Sequence, residues 1–337
     1  MTDYFRPLVQ TRAARPAGAV TLAGASCWFT HVEHLRRDAT PRIVEAGDVP
    51  AAVLERLSAP RPEVAGLAMD RPHVMGILNT TPDSFSDGGV HHGRDAAAVS
   101  GSVMVSHGAT ILDIGGESTR PGAAFVPADE EIARVVPVIE RLGTTGALIS
   151  IDTRKAEVAR AALAAGAGLV NDVSGFTFDA DLAPLCAEAG VPVCVMHMQG
   201  DPQTMQDDPQ YEDVLLDVYD FLAAQVSRLV GMGIARERII VDPGIGFGKT
   251  QAHNLTLLRG LSLFHGLGCP ILLGVSRKGF IGRIGREPQA SARAPGSIAV
   301  GLAGLAQGVQ ILRVHDVAET MQAVRLWQAV QDPESEV

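Results

Sequence analysis

The residues best equipped for chemistry in this 337-residue chain share one position relative to its apolar runs. Asn79, Asp113, Glu117, Arg120, Asp152, Asn171, Asp172, His197, Asp242, Lys278, Arg313 and His315 all stand at or just after the C-terminal ends of such runs. Their types divide the chemistry. A carboxylate at the end of a buried strand must be paired or must serve a ligand that brings N–H donors, which fits Asp152 and Asp242. Asn171 adds an acceptor and two donors, enough to read the edge of a heterocycle. Arg120, Lys278, Arg313 and His315 offer cations or strong donors, and a guanidinium matches carboxylate and phosphate with its planar fork. Asp172 reads as an orienting group. No nucleophile–base pair is visible.

The surrounding motifs sharpen this. Asn79 leads into a polar, glycine-ended loop, TPDSFSDGG, of the kind that folds over a ligand and excludes water. GGESTRPGA (115–123) combines two glycines for close backbone approach with the hydroxyls of Ser118 and Thr119 and the fork of Arg120. Met196 and His197 stand in VMHMQG, where a thioether can pack on a flat ring. His197 reads equally well as a satisfied barrel-mouth histidine. Thr153 is placed to cap the helix after Asp152. VDPGIGFGKT (241–250) is too short between its outer glycines for a nucleotide P-loop. Arg277 and Lys278 follow the seventh run, and Arg313 and His315 close the eighth.

The elements that must position these groups alternate regularly. Apolar runs lie at 73–78, 110–115, 147–152, 168–172, 191–197, 238–242, 270–275 and 309–314. Helical patterns follow them at 94–107, 128–142, 154–166, 179–190, 211–233, 251–267, 293–308 and 316–331. Repeated strand–helix units with nearly continuous apolar strands indicate a parallel sheet covered on both faces. The count of eight, with no dinucleotide-type glycine fingerprint after the first strand, predicts a closed (β/α)8 TIM barrel rather than an open doubly wound sheet. All the polar groups then collect on its catalytic rim.

Residues 1–70 differ. They hold one expected strand (19–24), an aromatic pair at Trp28–Phe29, and a helix expected over 48–58 with an Asp cap. A linker is expected at 59–64. The sequence is thus divided into an N-terminal extension, 1–70, with no assigned role, and a barrel from 71 to 337. A hydrophobic fraction of 46% supports a large core, and a net charge of -10 gives no basic footprint for nucleic acid. The four cysteines, Cys27, Cys186, Cys194 and Cys269, show no metal-ligand spacing. No membrane-length apolar stretch or signal segment is visible, and a soluble, cytoplasmic protein is expected.

Taken in order, NTTPDSFSDGG, GGESTRPGA, DTRKAEVA, NDVSG, MHMQG, DPGIGFGK, SRKGFIG and RVHDVAET resemble the dihydropteroate synthase family over about residues 73–332. The resemblance implies a transferase of folate biosynthesis. Such an enzyme joins 6-hydroxymethyl-7,8-dihydropterin diphosphate to 4-aminobenzoate with release of pyrophosphate. It also implies a homodimer, dependence on Mg2+ and inhibition by sulfonamides. Carried over residue by residue, Asp242, Asp152, Asn171 and Lys278 would read the pterin, with Arg313 stacked on the ring and Met196 beside it. Asn79, Arg313 and His315 would hold the diphosphate, Asn79 also touching the metal. Thr119, Arg120, Pro121 and Phe247 would contact the aminobenzoate. Two positions depart from the pattern: Gly279 where some relatives carry serine, and Ile245 where some carry phenylalanine. A methyltetrahydrofolate-binding methyltransferase module or a non-catalytic pterin-binding paralogue would share the pterin readers. The methyltransferase module has no need for the STRPGA loop or the cluster of Lys278, Arg313 and His315, and a paralogue would be expected to lose Asn79, Arg120, Lys278 or His315.

Overall fold

Eight apolar segments with no water to satisfy their amides pair side by side and in parallel. In the computed structural model, which describes residues 2–80, 89–118, 123–200 and 204–331 (89–94 by backbone alone), they form one sheet. Five short strands precede them: β1 (Tyr4–Pro7), β2 (Val20–Thr21), β3 (Trp28–Phe29), β4 (His31–Arg36) and β5 (Ala39–Glu45). The barrel strands are β6 (His73–Asn79), β7 (Ile111–Gly115), β8 (Leu148–Asp152), β9 (Leu169–Asp172), β10 (Val193–Met196), β11 (Ile239–Asp242), β12 (Leu272–Leu273) and β13 (Ile311–Val314). The sheet runs β11-β10-β9-β8-β7-β6-β13-β12, and a parallel bridge between Val241 and Ile271 closes it. The expected (β/α)8 barrel is present. β12 is two residues long where the sequence predicts six, because Pro270 has no N–H to give the ladder and Gly274 ends the pairing.

Helices cover the outside. α1 (Ala51–Ser58) belongs to the N-terminal region. The barrel carries α2 (Gly89–Ser106), α3 (Ala128–Leu142), α4 (Ala156–Ala164), α5 (Leu182–Ala189), α6 (Val214–Gly231), α7 (Gln251–Arg259), α8 (Gly279–Gly285), α9 (Ala294–Leu305) and α10 (Val317–Gln331). α3 shows the logic. Acidic Asp129, Glu130 and Glu131 fill its first turn, and Val135, Val138, Ile139 and Leu142 recur on one buried stripe. α8 is an addition that the sequence pattern does not announce. The helix expected over 251–267 is α7 followed by a 3-10 stretch, Leu261–Leu267. Thr153 does not cap α4: Lys155 is the N-cap residue, and the first amide, Ala156 N–H, donates to Asp179 Oδ2 at 2.7 Å.

The N-terminal residues are docked on the barrel. β1, β4 and β5 form an antiparallel sheet, and Tyr4 Oη donates to both oxygens of Asp220 on α6, at 3.0 and 2.8 Å. The strand expected at 19–24 shrinks to β2. Asp48 ends a 3-10 turn (Ala46–Asp48) instead of capping, and α1 starts after Pro50, whose fixed φ suits a helix entrance. Residues 59–64, expected as a linker, are held in place. The buried Arg61 guanidinium donates to the carbonyl of His265 at 3.0 Å, and Val64 pairs with Leu67. Val64 and Met69 then close the bottom of the barrel over Met75, Ile111, Leu169, Cys194, Ile240, Leu272 and Ile311. Shortening this plug opens a cavity, so Met69→Ala is expected to destabilise the fold by about 2–5 kcal/mol in urea unfolding. An unchanged midpoint would show that the plug is not part of the core.

Candidate active site

Strand alternation builds the site. The inward-facing residues Ile111, Leu169, Cys194, Ile240, Leu272 and Ile311 form the apolar bottom layer. Two residues further along each strand, the same face carries Asp113, Asn171, Met196, Asp242, Gly274 and Arg313. Ser150 and Asp152 occupy the corresponding face of β8. Apolar floor therefore gives way to polar rim within one repeat of the pleat, at the C-terminal ends where barrel sites form.

Arg313 is the centre of one half. Its Nε donates to Asp113 Oδ2 and its Nη2 to Asp152 Oδ2, both at 2.6 Å. Asp113 is fully enclosed and also accepts from Asn171 Nδ2 (3.0 Å) and Ser150 Oγ (2.6 Å). Both its oxygens are engaged by the protein. Asp152 is different, for its Oδ1 is buried with no hydrogen-bond partner. Burial pushes its carboxyl up, with Arg313 opposing and Asp113 adding to the rise. An unpaired buried acceptor costs free energy unless a ligand donor meets it.

The other half is built on Asp242. Gly244 N–H donates to its Oδ1 at 2.7 Å. The chain can make this turn because Gly244 has φ +67°, and any Cβ there would strike the carbonyl of His197. Burial raises Asp242, with the charge of Lys278 working against it. Lys278 donates to the carbonyl of Ile245, and its ammonium lies 4.6 Å from the Phe247 ring centroid. Burial lowers Lys278 to about 8, with Asp242 pulling the other way. Met196 registers beside Asp242 across the β10–β11 pair.

His197 proves to be a supporting group. Its ring nitrogen Nδ1 lies 2.8 Å from Lys249 Nζ, and burial first, then Lys249, drops its pKa to about 2. Neutral His197 thus accepts from the lysine, which also donates to the carbonyl of Phe247 at 2.9 Å. Asp172 is likewise consumed, accepting from Ser174 N–H, Ser174 Oγ and Phe176 N–H.

Beyond these, Asn79 ends β6 half-buried, and among the described residues its side chain has no hydrogen-bond partner. His315 Nδ1 sits 3.0 Å from Ser276 Oγ, which fixes the ring after β13. Arg277 turns away to pair with Asp316. Thr119, Arg120 and Pro121, like the loop 81–88, lie outside the described residues. The segment before and after 119–122 is anchored by a buried charge cluster. Glu117 accepts from Val126 N–H (3.0 Å) and from Arg154 and Lys155, and Lys155 also donates to Glu131 at 2.6 Å. Against the cost of burial, those donors hold Glu117 below the usual range.

A family model described as "Pterin binding enzyme" matches residues 75–315. The dihydropteroate synthase of Escherichia coli (strain K12) is 47% identical over 264 residues, 78% of this chain and 93% of that protein. The dihydropteroate synthase of Xanthomonas albilineans with 4-aminobenzoic acid superposes with a TM-score of 0.75 at 47% identity, covering 79% of this chain and 96% of that one. The Yersinia pestis dihydropteroate synthase in complex with a sulfonamide drug gives 0.76 at 45% identity, over 80% and 98%. The chain belongs to the dihydropteroate synthase family.

Within that family framework, a reading based on strand ends lists Asp113 without a role and misses Ser150 and Lys249. Asp113, Ser150 and Lys249 carry its hydrogen-bond network. Counting inward positions in steps of two from the apolar floor places Asp113 and Ser150 on the face of the site. Nothing in the local sequence around Lys249 says that it turns inward to His197.

Because Lys278 loses its charge as pH rises through about 8, kcat/KM for the pterin substrate is expected to fall on the alkaline side with an apparent pKa near that value. Lys278→Arg should move this limb to higher pH, since a guanidinium stays charged. A wild-type profile flat from about pH 7 to about pH 10 would contradict the assignment.

Proposed function

We propose that this chain condenses 6-hydroxymethyl-7,8-dihydropterin diphosphate with 4-aminobenzoate, giving 7,8-dihydropteroate and pyrophosphate. The observation that carries the reading is the unmet acceptor capacity in an otherwise saturated rim. Asp152 Oδ1 is buried without a partner. Asp242 has one oxygen held by Gly244, and the other has no hydrogen-bond partner among the described residues. A pterin presents an exocyclic amine and a ring N–H side by side, which suits Asp242. Asp152 and Asn171 take the remaining edge, and Lys278 donates to ring acceptors. A ring with another donor pattern would leave these buried groups unpaired and be rejected. Arg313 and Met196 bound the ring plane.

In the reaction, the bond between the pterin methylene carbon and the diphosphate oxygen breaks, and the electron pair leaves with pyrophosphate. The neutral aniline nitrogen attacks the methylene carbon and then sheds a proton. Arg313 and His315 stabilise the leaving anion, so no strong base is required. Mg2+, when bound, supplies neutralising charge to the diphosphate. The half-buried Asn79, whose amide has no hydrogen-bond partner among the described residues, fits it as a hard oxygen ligand, the remaining positions being left to phosphate and water, as this ion prefers. Among the described residues no cluster of His, Cys, Asp or Glu competes for it. Thr119, Arg120, Pro121 and Phe247 complete the aminobenzoate site, which is also where a sulfonamide would compete.

Residues 71–337 form the catalytic barrel in this account and 1–70 an appended region. A homodimer is proposed through the late helices, where Leu326 and Val330 of α10 are exposed apolar side chains that a second copy would cover. Four free, buried cysteines suit a reducing cytoplasm.

The direct test is pyrophosphate release by purified protein with both substrates and Mg2+, omitting each in turn. Release requiring all three, with dihydropteroate formed, is the expected result. Asp242→Asn should lower kcat/KM at least about 100-fold, the order of loss when a buried reader is mismatched to its ligand. Saturable pterin binding without turnover would overturn the synthase reading.

A further inference from the structure

The position after Lys278 has no side chain, and an arginine stands at the gap. A Cβ on Gly279 would lie 3.5 Å from Arg283 Nη1. Arg283 is aimed there by Gln251, whose Oε1 accepts from Arg283 Nε at 2.8 Å. Gln251 is the first residue of α7, directly after the loop that carries Phe247. Arg283 therefore spans the two loops that present Phe247 and Lys278 to the barrel mouth.

Beyond it opens a cavity of about 550 Å3, lined by Gly279, Gly282, Arg283, Arg286, Pro288 and Arg293. Three guanidinium groups line it and, among the described residues, no carboxylate does. Arg293 is fixed by backbone carbonyls alone, those of Glu287 (2.9 Å), Arg277 (3.0 Å) and Pro288 (2.5 Å). These bonds fix its position without neutralising its charge. Among the described residues, neither Arg283 nor Arg286 is ion-paired. The cavity is positive and open beside the reaction site of a chain whose net charge is -10.

The acceptor substrate has its own polarity. Its nitrogen must face the pterin in the barrel mouth, so the carboxylate at the far end of its rigid ring must face outward. We propose that Arg283 recognises this carboxylate, in the cavity whose positive field Arg286 and Arg293 reinforce, and so selects acceptors that carry an anion opposite the amine. The inference rests on the synthase reading above. Arg283 is exposed, so its contact with an anion is screened by salt and modest in size.

The test compares 4-aminobenzoate with the neutral 4-aminobenzamide on the full chain and on Arg283→Gln, with saturating pterin diphosphate and Mg2+. In the variant the KM for aminobenzoate should rise about three- to tenfold, with kcat little changed and the KM for the amide unmoved. The aminobenzoate KM of the unaltered chain should climb with added salt more steeply than that of the variant, and Arg283→Lys should recover part of the loss. An aminobenzoate KM unchanged in Arg283→Gln would overturn the assignment. So would an equal rise for both acceptors, which would mark a merely structural role. If the unaltered chain makes no product with either acceptor, the synthase reading itself falls, and this inference with it.

Discussion

The guanidinium of Arg313 reaches across the barrel mouth from β13 and is held at 2.6 Å by carboxylates on β7 and on β8. A buried ion pair of this kind adds little net stability, because desolvation offsets most of the attraction. Its effect is on geometry. Removing one partner would leave an uncompensated charge in the interior at a cost of about 3–5 kcal/mol, so the three side chains hold one another in place. Both oxygens of Asp113 are engaged, by Arg313, Asn171 and Ser150, and Asp152 is left with one acceptor atom that has no partner among the described residues. That asymmetry separates a carboxylate engaged in positioning from one with acceptor capacity to spare. It also orients Asn171, whose amide nitrogen is committed to Asp113 and whose carbonyl is thereby turned to a defined side.

Asp242 and Lys278 form the complementary pole. Asp242 is buried and Lys278 half-buried, and the charge of each favours the charged form of the other. Their spacing is set by backbone, through Gly244 under Asp242 and the carbonyl of Ile245 under Lys278. Lys249 then pins the far side of the same loop to His197 and to the Phe247 carbonyl. The polar groups of the rim are thus carried by strand ends and by a loop with several fixed points. Such support is what holds a recognition site to the tolerance its chemistry needs.

The barrel was legible in the sequence because its strands are buried on both faces and its helices are amphipathic, two patterns that composition alone cannot hide. Strand ends were legible for the same reason: Asp152, Asn171, Asp242 and Arg313 interrupt apolar runs. Layers within the barrel were less so. Asp113 lies mid-strand in ILDIG, and its importance depends on partners 37, 58 and 200 residues away. The N-terminal region is poorly legible in the sequence. Its contacts are long-range, such as Arg61 to His265 and Tyr4 to Asp220, and its strands are too short to show a period. The proline before α1 also outweighed the local signal of Asp48 as a cap.

A pterin site preset by the carboxylate–guanidinium arrangement must weaken when that arrangement is disturbed. The most direct measurement is calorimetric binding of 6-hydroxymethyl-7,8-dihydropterin to Asp113→Asn, a residue whose oxygens are all used by the protein. With circular dichroism showing a folded barrel, affinity at least about tenfold weaker than wild type is expected, because Arg313 and Asn171 lose their common anchor. Wild-type affinity in a folded Asp113→Asn protein would contradict it.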